Sequence, residues 1–125
     1  TAALLAAAPS DGRLAVAAID THLGDWFCAT DGPPFVISTD ALATTLAGRP
    51  CRIVGPQADA LAPLLPDAVA QTVLPDPVLM ARLALADGIE AWRMRNRTEG
   101  LPRPLYLRGV NVTAPDGTRR TVETE

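Results

Sequence analysis

At 125 residues, 48% apolar and 20% charged, the chain has the size of one compact domain and the apolar content for a core. That argues against disorder along its length. A formal charge of −3, with all 11 basic residues arginine, argues against a surface built to coat nucleic acid. Thr1–Ala8 reads as the last turns of a helix, stopped by Pro9 and the Asp11-Gly12 turn. Because the sequence opens on Thr1 and inside a helix-like Ala/Leu run, a trimmed fragment is expected.

Arg13–Asp20 is a near-continuous apolar run of strand length, as a strand covered on both faces requires. The short polar segment Thr21–Gly24 suits a hairpin, and Asp25–Thr30 reads as the second strand. Asp31-Gly32-Pro33-Pro34 is a turn, and Phe35–Ile37 is a brief third strand.

The period then changes. Ser38, Thr39 and Asp40 offer N-caps for a helix carrying Leu42 and Leu46, which ends at Gly48 and Pro50. Cys51–Val54 is a fourth strand, Gln57–Leu65 a short Ala-rich helix, and Val69–Leu74 a fifth strand. Asp76 as N-cap with Pro77 at the first helical position opens the strongest predicted helix. Its Leu79, Leu83, Leu85, Ala86, Ile89 and Trp92 cover a broad face, so it is expected to pack well into the body. Leu105–Arg108 alternates like a docked edge segment, and Ala114–Glu125 reads as a polar, flexible tail.

The order β-β-β-α-β-α-β-α predicts an α/β fold: an antiparallel meander joined to parallel crossovers in a mixed five-stranded sheet flanked by helices. That is the arrangement of ribonuclease H-like domains and of each lobe of the actin-like ATPase superfamily. No transmembrane span is legible, since charge or proline interrupts every apolar run, and no signal peptide is legible either, since the opening Thr1–Gly12 lacks a basic n-region.

The chemistry-bearing residues are few. A two-metal nuclease needs carboxylates from several elements. Asp20 supplies one, but the helix after the meander has no acid beyond the capping Asp40, and Ile53-Val54-Gly55 brings none. His22 is the single histidine and falls in a turn, so a metalloprotease site is not expected. Gly55-Pro56-Gln57 has one glycine followed by a residue without an N–H, which suits an ordinary turn better than a phosphate cradle. Cys28 and Cys51 sit in apolar runs and read as buried thiols. Arg93, Arg95 and Arg97 around Trp92 mix basic and aromatic character, but at i, i+2 and i+4 they do not share one face and read as a solvated helix end. No catalytic, cofactor-binding or metal-binding residue is therefore assigned. Residues 1–80 carry three Arg against eight Asp, and residues 81–125 eight Arg against six acids, a modest asymmetry available to steer a partner.

Two segments resemble a known family. Ile19-Asp20-Thr21-His22-Leu23-Gly24-Asp25-Trp26-Phe27 is similar to the Asp-Ala-Arg-Arg-Gly-Glu-Val-Tyr hairpin of the TsaB (YeaZ) family. Asp20 and Gly24 match, Asp25 stands for Glu, and Phe27 stands for Tyr. Thr21, His22 and Leu23 depart from the small-basic-basic pattern, and Trp26 takes the valine place. Pro104-Leu105-Tyr106-Leu107-Arg108 resembles the family's C-terminal Pro-Val-Tyr-Leu-Arg. The resemblance spans about Ala3 to Arg108. It implies that residues 1–125 are a single domain, the C-terminal lobe of a two-lobed bacterial protein, with residues 1–8 ending an inter-lobe helix.

The function so implied is that of a cytoplasmic, non-catalytic scaffold, often labelled glycoprotease-like. It supports threonylcarbamoyl-adenosine modification of tRNA through a TsaD-like catalytic subunit and a TsaE-like ATPase, with tRNA contact indirect or weak and room for a homodimer. The reading from a different class is half of an actin-like ATPase or kinase, whose nucleotide cleft would need a second lobe.

Overall fold

The computed structural model describes residues 1–101, 103–107, 110–113 and 119–122. Five strands form one mixed sheet in the order β3-β2-β1-β4-β5, made of β1 (Leu14–Asp20), β2 (Asp25–Ala29), β3 (Phe35–Ser38), β4 (Cys51–Gly55) and β5 (Ala68–Thr72). The β1–β2 and β2–β3 pairs are antiparallel, whereas β1–β4 and β4–β5 are parallel. The sequence thus predicts the α/β class, the meander and the placement of β4 beside β1.

Strand alternation sends β1 and β2 side chains to opposite faces, and each face has its own cover. On one face Val16, Ala18, Trp26, Cys28, Cys51 and Ile53 pack beneath α2 (Thr39–Leu46), α3 (Ala58–Leu61) and the 3-10 turn Ala62–Leu64. Leu42 and Leu46 of α2, four residues apart, are both buried there. The Trp26 indole satisfies its N–H on Thr39 Oγ1 at 3.1 Å, so a large ring is buried with no orphaned donor. On the other face Ala17, Ala29 and Val54 meet Leu4 of α1 (Ala2–Ala6).

Helix boundaries follow local chemistry. Ser38 Oγ accepts from Ala41 N at 3.3 Å and starts α2, and Gly48 at φ 77° lies just past its end. Asp76 Oδ1 accepts from Val78 N at 2.8 Å, with Pro77 opening α4 (Pro77–Asp87).

Beyond Asp87 the structure departs from the sequence reading. One continuous, buried helix was expected. Instead Gly88, at φ 81° and ψ 153°, separates α4 from α5 (Ile89–Glu99), and neither helix has a buried residue. The backbone at Gly88 lies where side chains are rarely tolerated, which ends one helix and starts another. Trp92 Nε1 donates to Ala84 O at 3.0 Å, and Arg95 pairs with Asp87 at 3.3 Å, so two side chains brace the elbow. Burial fails because α4 lies against α1, which already covers its face of the sheet.

Two further readings change. Of the alternating segment, Leu105 and Tyr106 are 67% and 54% exposed and belong to no strand, Leu107 is half-buried, and Arg108 lies outside the described residues, so no edge strand forms among its described residues. Within the stretch read as a polar tail, β7 (Arg119–Val122) pairs antiparallel with β6 (Val110–Thr113). The rest of that stretch, 114–118 and 123–125, lies outside the described residues. Among the described residues, no helix is long and apolar enough to cross a membrane.

Candidate functional site

Because β1 and β4 run parallel, their carboxyl ends share one edge, the usual place for a binding crevice in an open α/β sheet. Asp20 ends β1 and Gly55 ends β4. Their backbones approach so closely that a Cβ on Gly55 would overlap the Ala18 carbonyl oxygen and stand 3.2 Å from its carbon. Gly55 is therefore a packing residue. Pro56 follows it without an N–H, so this turn does not offer the run of amides that phosphate binding uses. Gln57 Oε1 instead accepts from Asp20 N at 3.5 Å, tying the two strand ends together.

The hairpin between β1 and β2 consumes its own polar groups. Asp20 Oδ1 accepts from His22 N at 2.7 Å, holding His22 in the left-handed region at φ 59°. His22 Nδ1 lies 3.5 Å from Asp20 Oδ2, with its side chain in solvent. Thr21 hydrogen-bonds the Asp25 carboxylate, lies 3.0 Å from the Asp25 carbonyl oxygen, and accepts from Leu23 N at 3.2 Å. The structure thus joins Asp20, Thr21, His22 and Asp25 in one turn, while Asp40 heads α2 as a first-turn acid. Among the described residues, no three His, Cys, Asp or Glu side chains gather as metal ligands.

Both cysteines are buried and free. Burial pushes the Cys28 thiol up to about 12 and also raises that of Cys51, so each is held as the neutral thiol. Neither has the electropositive, open setting of a nucleophile. At the opposite strand ends Arg52 pairs with Asp11, and that hydrogen bond lowers the Asp11 carboxyl below its ordinary range.

A second candidate site lies elsewhere. A groove of about 700 Å³ runs along α5, lined by Ile89, Trp92, Arg93, Asn96, Glu99 and the chain just past Gly100. Arg95 stacks over the Trp92 ring at 4.8 Å from its centroid, and Arg93 pairs with Glu90 at 2.6 Å. Two of the three arginines singled out from the sequence are therefore in local ion pairs; Arg97 stands exposed on the last turn. The sequence reading missed this groove because its second wall is irregular chain, with Leu101 and Arg103 beyond the helix end. Gln57 was missed too: only the parallel pairing of β1 and β4 brings it to Asp20.

No protein-family model matches the chain, and comparison with curated proteins and with solved structures found no match.

Proposed function

We propose that this chain is a non-catalytic lobe of a TsaB-like protein, with a ribonuclease H-like, actin-like topology. In this reading it acts in the cytoplasm through a TsaD-like catalytic subunit and a TsaE-like ATPase to support threonylcarbamoyl-adenosine formation on tRNA. The observation that carries the reading is the strand order β3-β2-β1-β4-β5, with the family-like Asp20–Phe27 segment forming the central β1–β2 hairpin. The site chemistry agrees with a scaffold: Asp20 and Asp25 close their own turn, and the cysteines are held protonated. A long uncovered apolar surface on α4 and α5, including Val78, Leu85 and Ile89, fits a lobe that works inside an assembly.

A lobe exchange tests this. Residues 3–108 would replace the second lobe of a TsaB protein. The chimera would be mixed with TsaD, TsaE, tRNA and activated threonylcarbamate. Modified adenosine from the chimera, with none from the chain alone, is the expected result. A folded chimera that yields none, beside an active TsaB control, overturns the reading.

A further inference from the structure

We propose that the groove along α5 binds a short peptide, of dipeptide size, with a free ammonium, a free carboxylate and large apolar side chains. The ammonium meets Glu99, the carboxylate meets Arg103, and the side chains lie on Ile89, Trp92 and Leu101, all of which line the groove. Its volume of about 700 Å³ falls within the range of small-molecule pockets, about 300–1,000 Å³. Ile89, Trp92, Asn96 and Glu99 follow one another at three or four residues, so they form one stripe on the helix. The stripe is graded: apolar at its start, an amide in the middle, acidic at its end. Gly100, at φ 78°, then ends α5, and Leu101 and Arg103 supply the second wall. Apolar surface thus leads to a carboxylate on the helix wall and a guanidinium on the irregular wall.

Charge decides the class of ligand. Of the ionic side chains lining the groove, two are already matched: Arg93 holds Glu90 at 2.6 Å and Arg95 holds Asp87 at 3.3 Å. Glu99 and Arg103 line it as well, and among the described residues neither pairs with the other or with a further ionic group. A simple anion would face Glu99 and a simple cation would face Arg103, so the ligand that satisfies both is a zwitterion. Nucleic acid fits poorly for the same reason, since its phosphates would meet Glu99 in a chain of net charge −3. A free amino acid holds both charges on one carbon. A dipeptide sets them up to about 7 Å apart, two residues of extended chain, which suits two walls whose charges do not reach each other. Trp92 is a platform already fixed in place: its N–H is held by Ala84 O, Arg95 covers one ring face, and 45% of it remains exposed. A ring immobilised before binding loses little entropy when a ligand covers it. This inference does not rest on the proposed role in tRNA modification.

Nitrogen-edited NMR of the labelled 125-residue chain is the test. Its two tryptophans give two indole N–H signals, one from Trp92 at the groove and one from Trp26 in the core, and Trp92→Phe assigns them. Titration with the dipeptide Leu-Phe to millimolar concentration is expected to shift the Trp92 signal saturably and leave that of Trp26 unmoved. N-acetyl-Leu-Phe lacks the ammonium and Leu-Phe amide lacks the carboxylate. Each should bind about two- to fivefold more weakly, the scale of a solvent-exposed ion pair. Glu99→Gln should erase the acetylation penalty, and Arg103→Gln the amidation penalty. Both residues are exposed, and an unchanged Trp26 signal certifies the fold of each variant. No saturable shift of Trp92, or penalties that persist in both variants, overturns the proposal. An acetylated and amidated Leu-Phe that binds as tightly as the free dipeptide reduces the groove to an apolar patch and also overturns it. Phenylalanine binding as tightly as Leu-Phe overturns the peptide and gives the groove to a free amino acid.

Discussion

The Cα of Gly55 faces the carbonyl of Ala18 so closely that a single added methyl group has no room between β4 and β1. The obstacle is backbone in the centre of a sheet, so it cannot rotate aside. Gly55→Ala should destabilise the fold by about 3 kcal/mol, the upper end for overpacking. A urea midpoint within experimental error of wild type would contradict this contact.

The Trp26 indole N–H has one partner, Thr39 Oγ1, and its ring is buried beneath α2. Thr39→Val keeps the shape and removes the acceptor, leaving a buried donor unsatisfied. A loss of about 1–3 kcal/mol is expected. Trp26→Phe combined with Thr39→Val should lose less than the two single changes added together, because both partners are then gone. Strict additivity would show that the bond does not hold α2 to the sheet.

Cys28 contributes a pH dependence of defined sign. Its folded-state thiol is raised to about 12 from an ordinary value of 9.0. The stability this represents is fully present below pH 9 and is lost as pH rises toward 12. The denaturation midpoint should fall across that window, less steeply in Cys28→Ala. Cys51 is raised in the same direction and leaves a residual slope. Identical slopes in the variant and the wild type would assign the effect to other groups.

Gly88 holds a conformation that alanine rarely adopts. Gly88→Ala should therefore let α4 and α5 join, raising the far-UV helical signal and releasing Trp92 from Ala84 O with a shift in its fluorescence. Unchanged helicity would mean that packing on α1, and not the glycine, sets the elbow.

The strand plan was legible because its signals are local. Alternating or continuous apolar runs are separated by Thr21–Gly24, Asp31–Pro34 and Gly48–Pro50, and each turn lies between the strands or helices it joins. The break at Gly88 was not legible. Leu85, Ile89 and Trp92 keep helical spacing straight through it, and an isolated glycine inside such a pattern does not by itself announce a stop. Likewise Leu105–Leu107 has the alternation of an edge strand, but edge pairing depends on a neighbour that periodicity does not encode. Of the candidate residues, Asp20 was legible as the acid at the end of the first strand. Its actual partners, His22 N and Gln57, emerge only from the turn and the β1–β4 pairing.

Actin-like nucleotide sites rely on glycine-rich phosphate turns, and the end of β4 offers one packed glycine followed by Pro56. Titration of the chain with magnesium ATP should give no binding in the micromolar range. Micromolar affinity would instead favour half of an actin-like ATPase or kinase.

The most direct measurement of the central claim is made in cells. A bacterium depleted of its own TsaB would carry one of two replacements, the lobe-exchange chimera with residues 3–108 or this chain alone. The threonylcarbamoyl-adenosine content of its bulk tRNA would then be quantified by mass spectrometry. The scaffold-lobe account predicts that the chimera restores the modified nucleoside and the isolated chain leaves it at the depleted level. A stably expressed chimera that leaves tRNA unmodified, beside a TsaB control that restores it, would contradict the account.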